Sequence, residues 1–225
     1  GELSISLIDE MPLGRQPIKT VVTPEGSRGQ AYEFIRQKLK EGRQAFVVCP
    51  LIDPSDNLGV KSTKEEYHRL KNDVFPEFKI GLLNGRMKTE EKEKVMDDFS
   101  RQQTDILIST SVVEVGIDIP NATIMIIEGA ERFGLAQLHQ FRGRIGRGRH
   151  RSYCYLFTES ESDTTRQRLN ALSQYQDGLS LARVDMEIRG PGKFYGTEQK
   201  GFPEFQIASI FDYPLIKRSR QAAES

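Results

Sequence analysis

The sequence predicts an α/β fold: a doubly wound, mostly parallel sheet followed by a C-terminal extension of different character. Three observations predict it. Short apolar runs of strand length recur up to about residue 157, separated by stretches with helical periodicity. Such alternation is what parallel strands joined by helical crossovers require. The length of 225 residues suits one large domain plus a smaller extension. Beyond Phe157 the chain turns polar and then rich in Gly and Pro. A boundary near residue 160 results, giving units at 1–160 and 161–225.

Residues 3–8 (Leu-Ser-Ile-Ser-Leu-Ile) alternate with period two and read as a strand. Residues 30–40 read as a helix that stops at Gly42, and 44–49 as a short apolar strand. Residues 53–59 are polar with Pro and Gly, hence a loop, and 63–73 are helical by periodicity. Residues 79–83 form a strand. Thr89 opens the next helix with Lys92 three residues on, so a capping box is not expected; its hydroxyl can cap, and Glu90 and Glu91 suit the positive helix end. Residues 105–109, 123–128 and 152–157 are strands, and 134–142 and 163–175 are helices. A Gly/Pro-rich stretch runs from Arg189 through Gly201, and residues 205–223 read as helix interrupted at Pro214.

Composition excludes several classes. Hydrophobic residues make up 37% and charged residues 28%, enough for a core and a well-charged surface. No run of 18 apolar residues suggests a membrane span. The opening Gly-Glu-Leu-Ser lacks the basic and apolar regions of a signal peptide and lacks an initiator Met, so a fragment is expected. Cys49 and Cys154 lie far apart in apolar runs, as buried reduced thiols rather than zinc ligands, and fit a cytoplasmic protein. His68, His139 and His150 form no metal or catalytic set, so no metal site is assigned. The 32 basic and 32 acidic residues cancel, which argues mildly against nucleic acid. Their distribution says more: Arg142, Arg144, Arg147, Arg149 and Arg151 crowd into ten residues.

That cluster sits in Gln-Leu-His-Gln-Phe-Arg-Gly-Arg-Ile-Gly-Arg-Gly, residues 137–148. Arg144 and Arg147 are three apart and on a helix end would face the same way, with Arg142 and Arg149 extending the set. Gly143, Gly146 and Gly148 allow close approach to a ligand. Guanidinium forks suit a polyphosphate. The same residues also suit a basic patch or an RG-rich linker. Upstream, a strand ends in Ser109, Thr110 and Ser111, and the stretch continues through Gly116 and Asp118 to Pro120. Hydroxyls and amides at the carboxyl end of a parallel strand form a natural binding edge; a polar turn is the plain alternative. A third group, Asn84-Gly-Arg-Met-Lys, comes after a strand and offers Gly85, Arg86 and Lys88 to a phosphate backbone, or is simply a charged turn.

Gln140 through Arg147 resembles motif VI of superfamily-2 helicases, and residues 108–120 resemble motif V. The resemblance implies a RecA-like second motor lobe. It implies that Arg144 and Arg147 reach the ATP γ-phosphate as arginine fingers, the catalytic residues of this chain. It places Thr110 on the nucleic-acid backbone and Gly116, Asp118 and Gln140 on the nucleotide. Asn84 stands where related helicases commonly have His, and Arg86 is carried over as a nucleic-acid contact. Residues 185–201, with Arg189-Gly-Pro-Gly192, are similar to the translocation motif shared by the RecG and Mfd families. The Gly-Pro-Gly form favours RecG. The likeness implies a helical hairpin and hook that couple lobe motion to DNA movement through Arg189 and Gln199. Glu198 and Lys200 depart from the usual pattern. Residues 8–15 resemble the RecG linker between lobes, so the likeness covers nearly the whole chain.

No GxxxxGK followed by Ser or Thr occurs. Asp9-Glu10 is followed by Met-Pro and is not read as the magnesium-binding pair. ATP and Mg²⁺ are therefore expected to be held mainly by a partner lobe, and the isolated chain is expected to be inactive. The resemblance implies a bacterial, monomeric, ATP-dependent DNA helicase that remodels branched DNA, with an N-terminal lobe and wedge domain supplied in cis. Two other readings stay open: an Mfd-type translocase fragment, and a non-catalytic nucleic-acid-binding module.

Overall fold

The computed structural model describes residues 16–50, 57–109 and 119–189. Six strands form one sheet: β1 (Lys19–Pro24), β2 (Gln44–Val48), β3 (Ile80–Leu83), β4 (Ile106–Ser109), β5 (Ala122–Ile127) and β6 (Tyr153–Thr158). Their order is β1-β6-β5-β2-β4-β3, and every neighbouring pair is parallel. The helices are α1 (Arg28–Lys40), α2 (Asn57–Arg69), α3 (Thr89–Ser100), α4 (Leu135–Arg142), α5 (Asp163–Gln174) and α6 (Gly178–Arg189).

The pleat explains why the central strands read as unbroken apolar runs. Successive side chains point to opposite faces, and here both faces are covered. Ala45, Val47, Ile106, Ile108, Ile124 and Ile126 pack with Ala31, Tyr32, Ile35 and Leu39 of α1. Leu70 and Phe75, at a π-helical turn (Leu70–Val74) that ends α2, close the same layer. Phe46, Val48, Leu107, Met125, Cys154 and Leu156 point the other way. They meet Met96 and Phe99 of α3, Leu138 and Phe141 of α4, Leu169 and Leu172 of α5, and Leu181 of α6. One core layer therefore runs from the sheet across residue 160 into the two following helices.

The expected doubly wound parallel sheet is present, with differences at particular elements. Strand β1 is not marked in the sequence; it is an edge strand with only Thr23 fully buried, so its apolar signal is weak. Helix α2 starts at Asn57, inside the segment expected to be loop. Helix α6 occupies residues placed between the polar helix and the Gly-rich tail. Helix α3 is capped one residue earlier than expected: Lys88 is the N-cap, and its N–H donates to Glu91 Oε2 at 2.9 Å. That is half of a capping box, made by Glu91 rather than by the Thr89 hydroxyl. The strand expected at 3–8, the linker at 8–15 and the helix at 205–223 lie outside the described residues.

Candidate functional site

The carboxyl ends of the strands carry the segments that the sequence singles out. After β3, Asn84 makes a tight turn: the Arg86 N–H donates to Asn84 Oδ1 at 3.0 Å, and the Met87 N–H to the Asn84 carbonyl at 3.3 Å. The short Asn side chain thus organises the turn itself. The turn leaves Arg86 and Lys88 exposed beside the end of neighbouring β4. Strand β4 ends at Ser109, whose hydroxyl is buried with no hydrogen-bond partner among the described residues. Thr110, Gly116 and Asp118 lie outside the described residues, as do Gln199 and the Gly-Pro-Gly stretch. Arg189 is the last residue of α6.

Beyond β5, the chain turns through Gly129 and a 3-10 turn (Ala130–Arg132) into α4. The helix stops at Arg142, earlier than an argument from helical spacing needs. Arg144 and Arg147 therefore lie beyond it, in tight turns: the Arg144 N–H donates to the Phe141 carbonyl at 3.0 Å and the Ile145 N–H to the Arg142 carbonyl at 3.3 Å. Two glycines shape the rest of the loop. Gly146 has φ +79°, left-handed backbone, and a Cβ there would stand 3.0 Å from Ile18 Cγ1. Gly148 lies flat against Pro120: a Cβ would come within 2.5 Å of the Pro120 carbonyl oxygen. The arginine loop is thereby packed on the residues that close the 108–120 segment. Gln140 and Arg147 are exposed and Arg144 is half-buried.

Arg142 is different, and it corrects the expectation from sequence. It does not extend the ligand cluster; it is 2% exposed. Its Nη1 donates to the carbonyls of Leu172 (2.5 Å) and Tyr175 (2.9 Å), and its Nη2 to the Gln176 carbonyl at 2.9 Å. These carbonyls lie at and just beyond the C-terminal end of α5, where a cation is also favoured by the helix dipole. Nη2 further lies 3.0 Å from His139 Nδ1. A guanidinium only donates, so Nδ1 accepts and the ring proton sits on Nε2. Arg168 of α5 donates to the Glu131 carbonyl, just before α4. Helix α5 is thus tied to the turn before α4 and to the last residue of α4. Between α4 and α6 lies a groove of about 280 Å³ lined by Leu135, His139, Gln140, Leu181, Asp185 and Met186.

The structure also holds a buried charged cluster that sequence reasoning misses. Glu128, directly after β5, is 8% exposed. Arg28 at the start of α1 donates to its Oε2 at 3.0 Å, and Arg69 of α2 lies 3.7 Å from Oε1. Arg69 also holds Glu66 through two hydrogen bonds, at 2.8 and 2.6 Å, and donates to the Tyr32 hydroxyl at 2.7 Å. No motif advertises these residues, because they come from separate segments. Cys49 and Cys154 are buried and free, and burial pushes both thiols up.

The residues fit half of a nucleotide site. Arg144 and Arg147 supply cationic forks suited to phosphate oxygens. Among the described residues, no group of three or more His, Cys, Asp or Glu side chains could hold a metal ion, so these residues do not form a magnesium cage. No helix among them is long and apolar enough to cross a membrane.

A parallel α/β lobe with this arginine loop at its binding edge is the second lobe of a helicase motor, and the chain belongs to the helicase conserved C-terminal domain family, whose pattern matches residues 30–149. Within that family its likeness is to RecG, and it runs the length of the chain. It is 50% identical over 226 residues to the ATP-dependent DNA helicase RecG of Synechocystis sp., covering 100% of this chain and 27% of that protein. It is 44% identical over 224 residues to the RecG of Bacillus subtilis, covering 99% and 33%. A solved structure of RecG bound to a three-way DNA junction superposes with TM-score 0.69 at 41% identity, over 96% of this chain and 27% of that one. The chain therefore spans between a quarter and a third of the length of these relatives.

Proposed function

We propose that this chain is the second motor lobe and translocation region of an ATP-dependent DNA helicase that remodels branched DNA, such as stalled forks and Holliday junctions, in recombination and repair. The observation that carries the reading is the arginine loop: Arg144 and Arg147 beyond the end of α4, on a backbone held in place by Gly146 and Gly148. The functional division is at residue 160, with 1–160 as lobe and 161–225 as helical hairpin and hook. The protein works as a monomer in the bacterial cytoplasm. Its N-terminal lobe and wedge domain are supplied in cis.

ATP with Mg²⁺, held mainly by the first lobe, supplies the phosphoryl group whose transfer drives the motor. The residues of this chain divide the remaining work. Arg144 and Arg147 place positive charge against the phosphate side of the inter-lobe cleft, where it stabilises charge that develops in transfer. Gln140, Gly116 and Asp118 orient the nucleotide edge. Thr110 and Arg86 hold the nucleic-acid backbone at the neighbouring strand ends. Arg142 passes any displacement of α4 to α5, because its guanidinium is bonded to the end of that helix. Arg189 and Gln199 carry the motion to duplex DNA.

The test is ATP hydrolysis and strand remodelling by the protein that carries this chain joined to its first lobe and wedge. Both are expected to be strongly stimulated by a three-way junction over linear duplex; a protein indifferent to the branch point is not this motor. The isolated chain is expected to show no turnover, because half a cleft cannot organise in-line transfer. Among the alternatives, an Mfd-type fragment is disfavoured by the RecG likeness along the whole chain. The non-catalytic module describes the isolated chain alone, which lacks a phosphate loop.

A further inference from the structure

The charged cluster at Glu128 is built from residues outside the arginine loop. It occupies a definite place: β2 and β5 are neighbours, yet α2, which comes after β2, packs on one face of the sheet, and α4, which comes after β5, packs on the other. Between such strands the sheet edge opens into a crevice. Glu128, directly after β5, meets Arg28 of α1 and Arg69 of α2 on the α1/α2 side of that edge.

Every charged or titratable group described around it can be named. From α1 come Arg28, at 3.0 Å from Oε2, and Tyr32. From α2 come Arg69, 3.7 Å from Oε1, and the Glu66 carboxylate that Arg69 clasps. Cys49 closes the end of β2, feeling Glu66, Glu128 and Arg69. Glu159, after β6, is the outer partner of Arg28 at 3.8 Å. Oε2 of Glu128 is bonded to Arg28, but Oε1 is buried with no hydrogen-bond partner among the described residues. Arg69, 3.7 Å from Oε1, makes its hydrogen bonds to Glu66 and Tyr32 instead, at 2.6–2.8 Å. A buried carboxylate oxygen whose nearest cation is bonded to a second carboxylate is unfavourable when charged, and a proton relieves it.

We propose that Glu128 carries a proton in its buried seat beside Arg69 and Glu66, so that the seating of α2 on the binding edge of the sheet is proton-linked. The proton behaviour of Glu128 agrees: burial, then the charge of Glu66, pushes its carboxyl from near 4.5 up to about 7, against the opposing pull of Arg28 and Arg69. A carboxyl raised on folding gives the folded chain a proton that the unfolded chain lacks at the same pH. This contribution to stability is complete below about 4.5, declines as pH rises from there through about 7, and is gone above. When the proton leaves, the two carboxylates repel each other and α2 loosens from its seat, while Arg28 and Arg69 stay charged.

Thermal unfolding of the full chain between about pH 5.5 and 8.5 tests this, with Glu128→Gln as the variant that cannot lose the proton. The quantity read is the gap in Tm between variant and wild type, which cancels titrations common to both. The gap is expected to shift in favour of Glu128→Gln as pH rises from about 5.5 to about 7 and to level off above that, whatever its starting offset. A gap that stays constant across the range is the behaviour of an ordinary ion-paired carboxylate and overturns the proposal. If the variant does not fold, the side-chain carboxyl ¹³C shift of Glu128 in the wild type reads the same proton. A midpoint near neutrality supports the proposal, and one below about 5 rejects it. The Glu66→Gln chain adds a control: with the second carboxylate gone, the Glu128 midpoint should fall, and an unchanged midpoint also counts against the proposal.

Discussion

Truncating Arg142 to Ala removes the hydrogen bonds that tie the last residue of α4 to the end of α5. The guanidinium donates to three main-chain carbonyls, of Leu172, Tyr175 and Gln176. In the variant these acceptors lose their donor in an interface that includes the fully buried Leu172. A buried polar group left without its partner costs about 1–3 kcal/mol. Carbonyls keep a second lone pair and two of these are only part-buried, so the sum falls near the low end, about 3–5 kcal/mol. Native domains have about 5–15 kcal/mol in total, so the loss is a large share. At about 2–4 °C per kcal/mol for a chain of this size, Tm should drop by about 6–20 °C. Differential scanning calorimetry of wild type, Arg142→Ala and Arg142→Lys measures it. Lys keeps the charge but cannot fork between three carbonyls and His139, so it should fall between the other two. An Arg142→Ala chain within about 0.5 kcal/mol of wild type, the range of an ordinary surface substitution, would refute the clamp.

Three further outcomes are expected. Arg147→Ala, at an exposed position, should leave the urea midpoint within about 0.5 kcal/mol of wild type; a larger loss would mean that Arg147 supports the fold rather than meeting a ligand. Gly146→Ala should cost at least about 1–2 kcal/mol, because the left-handed backbone at φ +79° disfavours a Cβ that would also press on Ile18. An unchanged midpoint in that variant would show that the turn is not held as described. Gln102→Gly should stabilise: Gln102 adopts φ 59° at the end of α3, donating from its N–H to the Phe99 carbonyl at 3.1 Å, and Gly adopts that backbone without strain. A gain of about 0.5–1 kcal/mol in chemical denaturation is the expected size, and a loss would contradict it.

Much of the sheet is legible in the sequence because its strands are simple. Residues 44–48 and 106–109 are buried on every position, so short apolar runs bounded by polar residues mark them directly. Strand β1 is not legible, since Lys19-Thr-Val-Val-Thr-Pro24 sits at an edge and carries few apolar groups. The start of α2 is hidden by Asn57-Leu-Gly59, which reads as a turn when taken locally. The arginines teach the same lesson at the site. Arg142 and Arg144 flank one glycine and look alike in sequence, yet one is buried and the other half-exposed. What separates them is the docking of α5, about thirty residues later, whose carbonyls reach only Arg142. Nor can local pattern reveal the cluster at Glu128, because Arg28, Glu66, Arg69 and Glu128 meet only once the sheet order brings β5 beside β2.

The central claim is that this lobe completes an ATPase site with Arg147. Junction-stimulated ATP hydrolysis by the full-length protein, wild type against Arg147→Ala, tests it most directly. An arginine finger is worth about 10³–10⁵ in kcat, so the variant should lose at least about three orders of magnitude in turnover while keeping its fold and its junction binding. Hydrolysis retained within about tenfold of wild type would contradict the account, and the arginine loop would then need another role.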